Sequence, residues 1–313
     1  MEKILITEFM DAESVDLLRK EFDVTYNPDL WNNRSELDVA VGDCAALIVR
    51  NRTQVDSSLI ELAANLKVVG RLGVGLDNID TSACADRNIA VHPATGANAN
   101  SVAEYVVAVA LLLVRGRAYF ASPQLTAGQW PREELGKGAE LAGNTLGIIG
   151  LGSIGSTVAR KARALDLEII AHDPYLPSDH DNWQLATKAD IDGVLSAADI
   201  VTIHGPLSSE TAGMIGAGEI SRMKKGAILI NTARGGIVDQ SACATALRRG
   251  HLAGAALDVF DDEPITLDQG KVFSGIDNVI LTPHISGVTR EANSRVSKLT
   301  ALNVAKALGR QLA

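Results

Sequence analysis

Cysteine is scarce in this sequence: Cys44, Cys84 and Cys243 are the only three in 313 residues, and no two form a CxxC pair. They cannot build a disulfide framework or a thiolate metal site, so no metal is expected and a reducing compartment, the cytoplasm, is the natural reading. Aromatic residues are also few, at 4%, so Ala, Val, Leu and Ile must carry the packing. Long apolar runs are missing. The longest, residues 105–114, is about half of the ~20 residues that a membrane span needs, and it reads as a buried helix. Basic excess is missing too: 29 Lys and Arg stand against 38 Asp and Glu, a net charge of −9. That balance disfavours nucleic acid and anionic membrane as partners. There is no internal repeat and no low-complexity segment, and the opening MEKILITEF reads as a first strand rather than a leader.

What is present is an alternation of short apolar runs with helical pattern, the mark of a parallel α/β sheet. A chain of this length suggests two domains at ~150 residues each. In the first third, strands are expected at residues 3–7, 46–49, 67–70 and 90–92, with helices at 12–21 and 57–64. A long helix at 101–115 is apolar on most faces and should be buried. Residues 116–143, rich in Gly, Pro, Trp and charge, read as a protruding excursion in which Trp130 and its neighbours need burial. A second series follows, with six strands expected at 145–150, 168–172, 200–204, 227–231, 255–259 and 278–281, and a final amphipathic helix at 289–312. Six strands at this spacing match a doubly wound nucleotide-binding domain.

Gly150, Gly152 and Gly155 form a GxGxxG with Ser153 and Ile154 between them. The strand-like TLGIIG precedes it and the helix-like STVARKARAL follows, which is the context the motif requires. Gly150 permits the tight turn, Gly152 lets backbone approach a pyrophosphate, and Gly155 lets helix and strand pack closely. The helix N-terminus favours the pyrophosphate charge. Asp173 ends the next strand, where a carboxylate accepts from adenosine ribose hydroxyls and repels a 2′-phosphate. No Arg follows it directly, so NAD is expected over NADP.

Three ionisable residues stand at or just past the ends of late strands: Arg234 in NTARGG, Glu263 in DVFDDEP and His284 in TPHISG. Hydride transfer to or from a 2-hydroxy acid needs a base for the hydroxyl proton and a cation for the carboxylate. Histidine suits the first task and the fork of an arginine the second. A glutamate paired to His284 would fix its tautomer and favour the imidazolium that reduction needs.

Together, VVGRLGVGLDNID, NANSVAEY, LAGNTLGIIGLGSIG, INTARGGIVD, GAALDVFDDEP and LTPHISG, spread over essentially the whole chain, resemble the D-isomer-specific 2-hydroxyacid dehydrogenase family. The resemblance implies two Rossmann-like domains. A doubly wound NAD-binding domain, residues 99–287, would be inserted into a smaller flavodoxin-like substrate domain, residues 1–98 and 288–313. It implies Arg234, Glu263 and His284 as the catalytic residues. It places Thr232, Ala233 and Asp258 beside the nicotinamide end, His204 and Gly205 beside the adenosine, and Ser101 and Gly287 against the cofactor. Backbone amides of Val74 and Gly75 would receive the substrate carboxylate. Residues 101–143 would form a homodimer contact, with domain closure about residues 97–101 and 286–289. Asn144 departs from the family, which commonly has Lys there, but it lies outside the catalytic set. Some members of this fold are NAD-sensing corepressors, a reading that nothing appended to this chain favours.

Arg50, Arg52 and Arg71 make an arginine-rich patch in the first third, and Arg132 could reach a neighbouring subunit. Arg50 and Arg71 are similar in position to residues of 3-phosphoglycerate dehydrogenases. The RNRTQV, PATGANANSVAEY and WPREE segments resemble bacterial (S)-sulfolactate dehydrogenases. Both resemblances imply a small 2-hydroxy or 2-keto acid with a second anionic group, sulfolactate ahead of 3-phosphoglycerate, with hydroxypyruvate or glyoxylate as simpler alternatives.

Overall fold

Runs of four or five branched apolar residues are too short for helices and are buried on both faces when they become parallel strands. A computed structural model of the chain describes residues 1–312, with its strands gathered into two parallel sheets. The chain divides into two compact units. One is Met1–Asn98 with the described residues from Val288 on; the other is Ala99–Gly287.

The first unit holds β1 (Lys3–Ile6), β2 (Asp23–Tyr26), β3 (Ala46–Val49), β4 (Val68–Arg71) and β5 (Ala90–Pro93), in the order β2-β1-β3-β4-β5. That is the flavodoxin-like order. Strand side chains alternate between two cores. Leu5, Leu47 and Val69 meet Leu37, Leu59 and Ile60 on one face. Ile4, Ile6, Ala46 and Ile48 meet Val15, Leu18, Ala301 and Val304 on the other. Each fully buried Leu or Ile is worth about 1.5–3 kcal/mol. The final helix, Arg290–Ala307, therefore belongs to this unit. Gly70 shows how closely it packs, because a Cβ there would stand 2.5 Å from the Val304 Cγ2. β2 was not expected from its sequence: DVTY is an edge strand, half exposed, without the apolar density of the others.

The second unit holds β6 (Thr145–Ile149), β7 (Glu168–His172), β8 (Thr187–Lys188), β9 (Ile200–Ile203), β10 (Ala227–Asn231), β11 (Leu252–Leu257) and β12 (Val279–Leu281). Their order is β12-β11-β10-β9-β6-β7-β8, all parallel, so the chain reverses its direction of winding between β6 and β9. Ligands of open α/β sheets bind at this switch, past the strand C-termini. Leu146, Ile148, Ile228 and Ile230 face one core, which the helix Ala99–Val114 completes with Val102, Val106, Val109 and Leu113. Ile149, Val201, Ile203 and Leu229 face the other.

Two expectations change here. The sheet has a seventh strand, β8, only two residues long and at the edge, too short to leave a sequence pattern. Residues 116–143 form short helices, Ser122–Thr126 and Arg132–Leu135, and Trp130 is not buried within the chain but 78% exposed. Tyr119 and Phe120 are exposed beside it in sequence. Among the described residues no helix is long and apolar enough to cross a membrane.

Candidate active site

The glycine turn follows β6. Gly150 has φ +93, a left-handed conformation that suits glycine, and a Cβ there would stand 2.9 Å from the Gly205 N. A Cβ on Gly155 would lie 2.0 Å from the Gly150 carbonyl oxygen, so turn and helix touch directly. Gly152 caps the helix Ser153–Arg163 without a side chain, and a Cβ on it would meet nothing within 4 Å. The first-turn N–H groups of Ser153, Ile154 and Gly155 are thus left for an anionic ligand rather than a capping side chain.

Asp173, just past β7, is tied into this turn. Its Oδ2 accepts from the Leu151 N–H at 2.8 Å, and its Oδ1 accepts from the Tyr175 and Leu176 N–H groups, both at 3.0 Å. With about two acceptor positions per oxygen, Oδ2 keeps one for a ribose hydroxyl. An open cradle at Gly152, a helix N-terminus and a carboxylate with one acceptor to spare fit a dinucleotide with an unphosphorylated ribose. His204 and Gly205 follow β9 and border the turn at Gly150. The His204 ring lies 3.0 Å from the Thr202 hydroxyl and 3.5 Å from that of Thr232, and burial pushes it down to about 3, so it stays neutral.

Neighbouring strands carry the ionisable cluster. After β10, the buried Asn231 side chain spans the next loop, accepting from the Ala233 N–H at 3.0 Å and donating to the Arg234 carbonyl at 2.8 Å. That holds Arg234 extended, while its Nη1 donates to the Ala233 carbonyl at 2.6 Å. After β11, Glu263 turns back so that its Oε1 accepts from the Phe260 N–H at 3.1 Å. After β12, His284 sits at φ +54 with its Nδ1 2.6 Å from the Glu263 Oε2. Burial opposes ionisation of Glu263. The hydrogen bond and charge of His284, the Phe260 N–H and the Arg234 charge together outweigh it and hold the carboxyl below the usual range. Glu263 is therefore an acceptor, Nδ1 carries the proton, and the His284 Nε2 is the atom left for chemistry. Arg234, Glu263 and His284 are brought together.

Asp258 takes part in a second way. It is fully buried. Its Oδ1 accepts from the Thr282 hydroxyl at 2.6 Å and the Ile285 N–H at 2.8 Å, and its Oδ2 from the Ser286 N–H at 2.8 Å. Its own carbonyl accepts from the His284 N–H at 2.7 Å. The Tyr105 hydroxyl, 2.6 Å from the Thr282 Oγ1, closes the chain. These contacts clamp the left-handed backbone of His284, and neither Thr282 nor Tyr105 was found by motif, since a hydroxyl in LTPH or SVAEY carries no local signal. Ser101 is buried in the first turns of the helix Ala99–Val114, and Gly287 ends the unit.

In the first unit, the Val74 and Gly75 N–H groups donate to no protein acceptor among the described residues. Arg71 reaches back over Gly73 and donates to the Leu72 carbonyl at 3.0 Å. Arg50 donates to the Asn293 Oδ1 at 3.0 Å, and the Arg52 guanidinium lies 4.5 Å over the Trp31 ring. Arg132 opens an exposed short helix. No cluster of three His, Cys, Asp or Glu able to hold a metal occurs among the described residues.

A doubly wound sheet whose switch point carries a glycine turn, with a carboxylate-paired histidine on the same strand ends, defines a nicotinamide-dependent oxidoreductase. The chain belongs to the D-isomer specific 2-hydroxyacid dehydrogenase family, whose NAD binding domain matches residues 107–286. It is 48% identical to the (S)-sulfolactate dehydrogenase of Chromohalobacter salexigens, over 99% of both chains. It is 40% identical to the D-3-phosphoglycerate dehydrogenase of Archaeoglobus fulgidus, over 98% of this chain but 58% of that protein. A solved structure from Thermus thermophilus superposes with a TM-score of 0.87 at 32% identity, covering 99% of this chain and 98% of the other. The protein is an NAD-dependent 2-hydroxyacid dehydrogenase.

Proposed function

We propose that the chain oxidises a 2-hydroxy acid bearing a second anionic group, (S)-sulfolactate, to its 2-keto acid, 3-sulfopyruvate. The observation that carries the chemistry is the 2.6 Å pair of His284 Nδ1 and Glu263 Oε2 beside Arg234. His284 Nε2 accepts the C2 hydroxyl proton, and Glu263 stabilises the imidazolium so formed. Arg234 holds the substrate carboxylate and the adjacent oxygen with its fork of N–H groups. In the first unit, the Val74 and Gly75 amides are the candidate carboxylate donors. Bound NAD would supply the acceptor for the C2 hydride. Ser153, Ile154 and Gly155 amides hold the pyrophosphate and Asp173 a ribose hydroxyl. His204 and Gly205 flank the adenosine. Thr232, Ala233, Gly287 and Ser101 line the rest of the cofactor, while Asp258, expected beside the nicotinamide, is fully buried and acts behind it by holding the His284 loop.

Arg50, Arg52 and Arg71 receive the second anion, with Arg132 contributed by a second subunit. Support for a sulfonate over a phosphate comes from the higher identity to the sulfolactate dehydrogenase, 48% against 40% for the phosphoglycerate dehydrogenase. Residues 101–143, with Tyr119, Phe120, Leu125 and Trp130 exposed, are the homodimer contact, and the cytoplasm is the compartment.

Steady-state kinetics with NAD on (S)-sulfolactate, 3-phosphoglycerate, D-glycerate and D-lactate test the reading. Sulfolactate should give the highest kcat/KM; D-lactate performing as well as the dianionic acids refutes the second-anion site. His284→Ala should still quench or enhance NADH fluorescence on binding while losing about 100- to 10,000-fold in kcat. Retained turnover removes His284 from its role.

A further inference from the structure

The loop carrying Arg50 and Arg52 is built around a buried acid. Glu8, just past β1, is 4% exposed. Its Oε1 accepts from the Arg50 N–H at 2.8 Å and the Thr53 N–H at 3.0 Å. Its Oε2 accepts from the Arg52 N–H at 3.1 Å and the Asn51 N–H at 3.3 Å. Four successive amides converge on one carboxylate and use its acceptor positions. Glu8 thereby fixes the backbone of the loop without pairing directly with either guanidinium. Arg50 is held by a neutral amide, Asn293, and Arg52 by the face of Trp31. Two cations thus share one buried counter-charge. Burial lowers the Arg50 guanidinium from its ordinary value, the charge of Glu8 opposes this and that of Arg52 adds to it.

We propose that Trp31 is a specificity-determining residue: by stacking the Arg52 guanidinium it holds a pre-ordered cation for the second oxyanion of the substrate. The proposal rests on the reading above that the substrate carries such a group. An exposed arginine must surrender rotamer freedom to grip an anion. Stacking on an indole removes that freedom beforehand and covers only the face of the guanidinium, leaving its in-plane N–H groups to meet a sulfonate or phosphate. Trp31 touches no reacting atom in this role; it acts through Arg52.

The test compares Trp31→Leu, Trp31→Phe, Arg52→Ala and the double variant with (S)-sulfolactate and with D-lactate. Trp31→Leu should raise KM for sulfolactate about three- to tenfold, with a smaller change for lactate and little in kcat. Trp31→Phe, which keeps a weaker aromatic face, should recover part of that loss, and it also stands in if Trp31→Leu fails to fold. In the double variant Trp31→Leu should add nothing to Arg52→Ala. Equal KM increases for both acids, or a full additive effect on top of Arg52→Ala, overturn the proposal. If Arg52→Ala loses the preference for sulfolactate and Trp31→Leu keeps it, Trp31 alone is refuted. If the wild type prefers lactate, the substrate reading fails first and takes the proposal with it.

Discussion

Replacing Thr282 by valine removes one hydroxyl at the centre of the His284 clamp with almost no change of shape. Thr282 donates to the Asp258 Oδ1 at 2.6 Å, so the Tyr105 hydroxyl, also at 2.6 Å, must be the donor to Thr282. A hydrogen bond to a charged group contributes about 1.5–3 kcal/mol and a neutral one about 0.5–1.5 kcal/mol. Thr282→Val should therefore cost roughly 2–3 kcal/mol, and Tyr105→Phe about 1 kcal/mol. For a unit of this size each kcal/mol lowers Tm by about 2–4 °C, so the Thr282→Val drop should be roughly 4–12 °C. The double variant should cost less than the sum, by about 0.5–1.5 kcal/mol, because each single change leaves the other hydroxyl unpaired. The loosened loop also carries His284 at φ +54, so kcat should fall about tenfold through misplacement of the imidazole. Denaturant titrations of the four proteins, with NADH-linked kinetics on sulfolactate, give the whole cycle. Strict additivity, or an unchanged kcat in Thr282→Val, would refute the idea that this chain of hydroxyls holds the His284 loop.

Glu263 is held below the usual carboxylate range, so its folded-state contribution is fully present above the ordinary glutamate value of about 4.3 and is lost as pH falls through the lower folded value. The stability difference between wild type and Glu263→Gln should hold steady from neutrality down towards that range and shrink only below it. A difference that fades between pH 7 and pH 5 contradicts the pairing. Asp173→Ala should weaken NAD binding and narrow its advantage over NADP, because both a ribose acceptor and a repelling charge are lost; titration of NADH and NADPH fluorescence reads both, and unchanged selectivity removes Asp173 from cofactor choice.

The cluster of Arg234, Glu263 and His284 was legible because each residue stands at or just past the end of an apolar strand in its own short segment: Arg234 after AILIN, Glu263 in the loop beyond β11 and His284 after β12. The glycine turn was legible for the same reason, strand and helix flanking it within a few residues. Trp130 was misread because burial was inferred from residue type alone. β8 and β2 were missed because edge strands need little apolar pattern.

Periodicity, turn chemistry and strand-end position belong to contiguous residues, so a parallel α/β fold, a dinucleotide turn and the Arg–Glu–His set can be read along the chain. The groups that hold them cannot. Tyr105 meets Thr282 across 177 residues, Glu8 meets the loop at Arg50 across 42, and Trp31 lies under Arg52 from a segment with no motif. Such partners are chosen by which strands become neighbours in the sheet and by the need of buried polar groups for hydrogen bonds, and both are properties of the packed molecule.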